Sequence, residues 1–460
     1  MSEKYNHVSE LPLKLGSSIE NEYIRLGHLS GKIMATKNDK FALPAAYAQS
    51  QESVWVEYVK LAMAYKPLNI GQGFPDFAAP KYVTDALADV ANSDNALFQQ
   101  YTRGFGHPRL INALSKLYSP LVGREIDPPN EILVTSGAYE ALFSTIMGHV
   151  DKGDEVIIIE PFFDCYEPMV IAAGGVPKFI PLKQTKSNVN GIGSSADWTL
   201  DPKELEGLFN KKTKAIIVNT PNNPLGKVFE QNELEIIANL CKKWNVLCIS
   251  DEVYEWMVYK PKKHIRIATL PDMWERTITI GSAGKTFSVT GWKTGWAYGP
   301  ANLMYNLQMV HQNCVYTCNT PMQEAVARGF EYELTRLGQD ECYFVSLPRE
   351  LEVKRDYMIK FLTEAGMKPI IPEGGYFIMA DFAPLLPRCD LSKETDPYVD
   401  YKFTKWMSKN IGLQGIPSTA FYSVPHKPQY ENFVRYCFIK EDANLQKAAD
   451  ILLKWTSKTV

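Results

Sequence analysis

Residues 246–254 read VLCISDEVY. Four apolar residues and a serine are followed at once by two acids, Asp251 and Glu252. An uninterrupted apolar run of this length suits a strand covered on both faces, and a carboxylate at its end is costly unless paired. The same kind of run recurs at 132–135 (ILVT), 155–159 (EVIII), 176–180 (VPKFI), 214–218 (KAIIV) and 277–280 (TITI). Between the runs lie stretches rich in helix formers with amphipathic spacing, such as 203–212 and 230–244. Strand and helix in alternation predict an α/β fold: a mostly parallel sheet with helices on both sides.

The 460 residues exceed what one core usually needs, so two domains are expected. A long connecting helix is predicted over 347–366, and 369–460 has the mixed pattern of a smaller α+β unit. The predicted division is an N-terminal arm over 1–45, a large domain over 81–325, and a small domain built from 46–80 with 326–460. With 49 basic and 52 acidic residues the net charge is -3, which argues against a nucleic-acid partner. No apolar run approaches the ~18 residues of a membrane span, so a soluble protein is expected. The eight cysteines form no C-x-x-C pair and the seven histidines do not fall near them at zinc spacing, so no metal site is expected. Glu3, Glu10, Glu20 and Glu22 are unlike a mitochondrial leader, while 23–41 is more basic; a cytoplasmic location is expected first and a mitochondrial one second.

Ligands of open α/β sheets collect beyond the carboxyl ends of the strands, and four strand ends here are unusually polar. After 277–280 comes GSAGKTFSVTGWKTGW (281–296), in which Lys285 is flanked by the small residues Ser282 and Gly284. A lysine attacks a carbonyl only when neutral, so it needs surroundings that lower its pKa. GKT imitates a phosphate-binding P-loop, but Thr279 stands where that pattern needs glycine. Asp251 has the charge to hold a protonated pyridine nitrogen. The loop NTPNNPLG (219–226) is stiffened by two prolines and offers Asn223, an amide able to donate to a phenolate oxygen. Ser136-Gly137-Ala138, between a strand and a helix start, offers free amides and a positive dipole end to a phosphate. Each feature alone has an ordinary explanation: a turn lysine, a helix N-cap, a loop, any strand-to-helix turn. Their order along one chain is what carries weight.

That order resembles the fold-type I pyridoxal-phosphate (PLP) aminotransferases, over nearly the whole chain after residue 45. Within them the chain is similar to the kynurenine aminotransferase, glutamine transaminase K and cysteine-S-conjugate β-lyase group. The matching stretches are NIGQGFPDF (69–77), QYTRGFGHPRL (100–110), EPFFDCYEPM (160–169), NTPNNPLGK (219–227), SDEVYE (250–255), TIGSAGKTFSVTGWKTGW (279–296), PEGGYF (372–377) and FVRYCF (433–438). One departure is Asn222, where the family wording has histidine; because Asn223 is the ring-facing position, no change of mechanism is expected.

The resemblance implies a seven-stranded, mostly parallel sheet and a set of roles. Lys285 is implied as the Schiff-base lysine and proton shuttle, Asp251 as the partner of the pyridine nitrogen, and Tyr254 with Asn223 as partners of the ring oxygen. Phe163 would stack on the ring. Ala138, Tyr139, Ser282 and Lys293 would surround the phosphate, with Tyr101 reaching it from the neighbouring subunit of a homodimer. Arg435 would grip the substrate α-carboxylate, backed by Asn219, with Gly73 and Trp55 on the substrate side and Tyr316 contributed across the dimer. The implied activity is transfer of an amino group from kynurenine, glutamine and other aromatic or sulfur amino acids to 2-oxo acids, with β-elimination from cysteine S-conjugates as a side reaction. Two other readings are a PLP-fold regulator and a scaffold. The first 45 residues are too short for an added DNA-binding domain, and the intact Lys285, Asp251 and Arg435 speak against the second.

Overall fold

The computed structural model describes residues 40–48, 52–185 and 192–458, so most of the predicted N-terminal arm lies outside the described residues. Each predicted strand forms. They are β1 (Ile132–Thr135), β2 (Glu155–Glu160), β3 (Val176–Pro181), β4 (Thr213–Asn219), β5 (Leu247–Asp251) and β6 (Thr277–Ser282). A further strand, β7 (Gly295–Tyr298), was not read from its four residues GWAY. The sheet order is β1-β7-β6-β5-β4-β2-β3, parallel except for β7, which runs antiparallel to both neighbours.

Alternate residues of one strand enter different cores, as double-sided burial requires. Ile157 and Ile159 join a cluster with Leu234 and Ile237, while Val156 and Ile158 join one with Leu142 and Ile146. Toward β1, helices Pro108–Val122 and Thr320–Leu334 cover one face; Gly137–His149 and Ala301–Cys314 cover the other.

Register assembles the functional edge. Asp251 sits opposite Asn219 on β4 and Ile280 on β6; Ser282 and Thr135 both sit opposite Gly295. Asp251 is thus the last residue of its strand rather than the first residue beyond it.

The C-terminal part builds a second sheet from β8 (Lys368–Ile371), β9 (Phe377–Asp381), β10 (Ile416–Pro417) and β11 (Phe433–Cys437), in the order β10-β11-β9-β8. Its outer edge is completed by Gly193–Ser194, a two-residue strand contributed from between β3 and β4. The predicted connecting helix runs over Tyr343–Glu364, starting four residues before and ending two before the predicted bounds. Leu68–Asn69 pairs in parallel with Leu413–Gln414, which brings the glycines at 71 and 73 against the second sheet.

Two glycines allow the close approach at the end of β1. Gly137 has φ +74°, left-handed backbone that a side chain disfavours. A Cβ on Gly295 would lie 2.4 Å from the Ala138 backbone nitrogen. Gly295→Ala should therefore cost about 1–3 kcal/mol as an overpacking substitution. Its thermal midpoint should fall clearly below that of Gly291→Ala, whose Cβ would meet nothing within 4 Å. Equal midpoints for the two variants would show that the turn has room to spare.

Candidate active site

The carboxyl edge of the first sheet opens into a cavity of about 330 Å³. Every residue expected in the site lines it except Tyr101 and Tyr316. Gly137, Leu142, Val253, Gly284, Thr290, Thr294 and Phe377 complete the wall.

One end is built to hold an anion. Helix Gly137–His149 starts there, its N-cap Ser136 makes no side-chain cap, and the first amides of a helix have no intrahelical partner. Lys293 has left-handed backbone (φ +52°), and its ammonium nitrogen comes within 3.3 Å of the point where a Gly137 Cβ would sit. Ala138, Tyr139 and Ser282 lie in the same part of the wall. Amides, a helix dipole and an ammonium together form a phosphate cradle.

Next to it lies Asp251, buried at the end of β5. Tyr166 Oη donates to Asp251 Oδ2 at 2.6 Å. Burial pushes the carboxyl up to about 6, and the Tyr166 bond pulls the other way. Tyr166 was not among the expected residues, although it lies inside the quoted stretch EPFFDCYEPM. Phe163 meets Tyr139 and Tyr166 edge to face, with ring centroids 6.4 and 6.2 Å apart.

Lys285 is half-buried, its amine opening on the cavity. It donates to Tyr376 Oη at 2.7 Å and to the Gly73 carbonyl at 3.3 Å, and Tyr376 itself donates to that carbonyl at 2.9 Å. Burial brings the amine down to about 8, helped by the charges of Arg435 and Lys293 and opposed by Asp251. Tyr376 was also missed, within the quoted PEGGYF.

Arg435 sits on β11 with 1% of its surface exposed. Nη1 donates to Asn223 Oδ1 at 3.0 Å and Nη2 to the Gly71 carbonyl at 2.8 Å, while buried Nε has no partner. Phe377, Phe421 and Trp55 surround the guanidinium at 4.0, 4.9 and 5.0 Å from their ring centroids. Among the described residues Arg435 makes no ion pair, Asp164 acting on it only through space, and burial lowers the group to about 10. A buried cation with no anionic partner is costly until an anion arrives.

The asparagine loop is held by its own side chains. Asn219 Nδ2 donates to the Asp251 carbonyl at 3.0 Å and its Oδ1 accepts from the Asn223 amide at 2.8 Å, which holds the loop and, among the described residues, leaves the second Nδ2 hydrogen free at the cavity wall. Asn222 points away from the cavity: it donates to the Pro161 carbonyl and accepts from the Leu225 amide. The departure at 222 leaves the cavity wall untouched.

Tyr101 and Tyr316 lie outside the cavity, 82% and 60% exposed, with rings 5.7 Å apart. Glu140, His311 and Cys318 meet in space despite their unpromising spacing in sequence. His311 contacts Glu140 at 3.1 Å and the Gly104 carbonyl at 2.9 Å, Glu140 also accepts from the Ser136 amide, and Cys318 donates to the Val134 carbonyl.

An anion cradle, a buried carboxylate, a lysine of lowered pKa and an orphaned guanidinium fit a phosphorylated pyridine aldehyde together with an amino acid. Comparison with known proteins points the same way. The family described as aminotransferase class I and II matches residues 65–452. Kynurenine–oxoglutarate transaminase 3 of Homo sapiens is 57% identical over 404 residues, covering 88% of each chain. Kynurenine–oxoglutarate transaminase 1 of Homo sapiens is 51% identical over 402 residues, 87% of this chain and 95% of the other. Among solved structures, Bna3p from Saccharomyces cerevisiae superposes with a TM-score of 0.83 at 33% identity, covering 90% of this chain and 99% of the other. Aspartate aminotransferase of Thermus thermophilus, as a single mutant, gives 0.75 at 26% identity over 90% and 99%. The chain belongs to the class I and II aminotransferases and is a PLP-dependent transaminase of fold type I.

Proposed function

We propose that this enzyme moves the amino group of kynurenine, glutamine and other aromatic or sulfur-containing amino acids to 2-oxo acids, giving kynurenic acid from kynurenine. The observation that carries the reading is Arg435: a buried guanidinium without a carboxylate partner among the described residues, boxed by three aromatic rings in the cavity that also holds Lys285. The transaminase names of the 57% and 51% identical relatives support the choice of donor.

PLP, when bound, supplies an electron sink for the substrate α-carbon. The cradle of Gly137–Tyr139, Ser282 and Lys293 would hold its phosphate, Asp251 its ring nitrogen, Asn223 and Tyr254 its ring oxygen, and Phe163 one ring face. Arg435 offers its planar fork to the α-carboxylate, which replaces weak neutral acceptors by a charge. Lys285 takes the proton from the α-carbon and returns it. With its amine near 8, about a fifth of it is neutral at pH 7.4, against a trace for an exposed lysine. Tyr376 and the Gly73 carbonyl hold Nζ toward the cavity.

Because the free amine is neutral above its pKa, reductive trapping of Lys285 by a small aldehyde in the apoprotein should rise with pH through a midpoint near 8. Lys285→Ala should lose the trapped adduct and all turnover. A midpoint near that of exposed lysines, about 10.4, would contradict the burial argument.

Arg435 is the one arginine among the described residues of the cavity wall, so a side-chain carboxylate finds no second fork. Aspartate should show a kcat/KM about tenfold or more below kynurenine, glutamine and phenylalanine. Aspartate as the best donor would overturn the substrate class.

The exposed Tyr101 and Tyr316 fit a homodimer in which each chain completes its neighbour's site. Mixing Tyr101→Phe chains with Lys285→Ala chains should raise activity above the sum of the unmixed pools, toward roughly a quarter of wild-type sites for random pairing. No recovery on mixing would confine Tyr101 to its own chain.

A further inference from the structure

Trp55 is fixed in the wall by a contact outside the catalytic set. It lies in the first turn of helix Val54–Tyr65 and its indole Nε1 donates to Asp164 Oδ1 at 3.0 Å, across a sequence separation of 109. The indole also packs against rings and a cation. Phe163 lies 6.4 Å away at 39°, Phe421 6.3 Å away at 51°, and the Arg435 guanidinium 5.0 Å over the ring. Ring contacts tolerate sliding, whereas a hydrogen bond to a carboxylate fixes both position and tilt. Asp164 directly follows Phe163, so one turn after β2 supplies both a wall residue and the anchor of its neighbour in the wall. Asp164 does not line the cavity itself.

We propose that Asp164 is a positioning residue for donor selectivity: it locks the Trp55 indole as a rigid wall, and the enzyme favours large flat donors because that wall does not yield. The inference rests on the donor class proposed above and adds the residue that enforces it. A freed indole would swing away from Arg435 and from the space beside Phe163. Large donors would lose a preformed surface, while a donor with a methyl side chain, which never reaches the wall, would lose little.

Asp164 also acts on Arg435 through its charge. Three variants separate this charge from the bond to Trp55. Asp164→Ala removes both acceptor and charge, Asp164→Asn keeps an acceptor oxygen and removes the charge, and Trp55→Phe keeps a ring and removes the donor. The holoenzymes are assayed with phenylalanine, kynurenine and alanine after the PLP absorbance and thermal midpoint of each are checked. Asp164→Ala should raise KM for phenylalanine and kynurenine roughly tenfold more than KM for alanine, and Trp55→Phe should shift that ratio in the same direction. The double variant should be no worse than either single one, because both remove the same bond. Asp164→Asn should retain close to the wild-type KM for all three donors. Equal losses in Asp164→Asn and Asp164→Ala would assign the effect to charge, and equal losses for alanine and phenylalanine would assign it to the carboxylate pocket. Additive effects in the double variant would break the link between the two residues; each of these three outcomes overturns the proposal. If wild type itself fails on every large donor, the donor class falls. If it uses them and Asp164→Ala does not discriminate, the positioning role alone falls.

Discussion

A carboxylate stands at the end of a strand buried on both faces, and the arrangement of the site follows from satisfying that one residue. Tyr166 donates to the Asp251 side chain, and the Asp251 carbonyl accepts from the Asn219 amide and the Thr220 N–H. Asn219 in turn accepts from the Asn223 backbone, and Asn223 accepts from Arg435. A hydrogen-bonded series thus runs from Asp251, proposed above as the partner of the cofactor ring, to Arg435, proposed as the clamp of the substrate carboxylate. Satisfying the buried polar groups of β4 and β5 and aligning two ligands are the same act.

The same series accounts for the charges. Lys285, Lys293 and Arg435 share one cavity with Asp251. Burial weakens the charged form of every group it encloses, so Lys285 and Arg435 fall while Asp251 rises. For the lysine this yields a usable base. For the arginine, even about 10 leaves a cation at neutral pH, so the fork remains ready for a carboxylate. Asp251 at about 6 stays largely ionised at neutral pH, as a partner of a protonated ring nitrogen must.

Much of this was legible in the residues. Apolar runs marked six strands to within a residue or two, because burial on both faces suppresses alternation and leaves a clear signal. β7 escaped because four residues headed by glycine carry no such signal, and its pairing with β1 and β6 is long-range. The same applies to Gly193–Ser194, too short to read as a strand at all. In the site, residues with distinctive chemistry at strand ends were visible, whereas Tyr166 and Tyr376 were not. Their work is done through partners 85 and 91 residues away, and a buried tyrosine in sequence looks like core. The Asp164 anchor was hidden in the same way, inside a motif whose phenylalanine drew the attention. Asn219 was visible as a candidate, whereas its bond to the Asp251 carbonyl, 32 residues away, emerges only in the fold.

The bond from Arg435 to the Gly71 carbonyl closes a loop of 364 residues, and this has a bearing on how the protein comes into being. The cradle, Asp251 and Lys285 all lie between residues 132 and 298, inside one sheet. During synthesis at about 5–20 residues per second, the 150 residues separating Lys285 from Arg435 take on the order of ten seconds to add. Throughout that interval the emerging chain contains the cradle, Asp251 and Lys285 but not Arg435. The cavity wall is thus built from both ends of the chain, from Trp55 and Gly73 to Arg435, and stays incomplete until β11 joins Gly71.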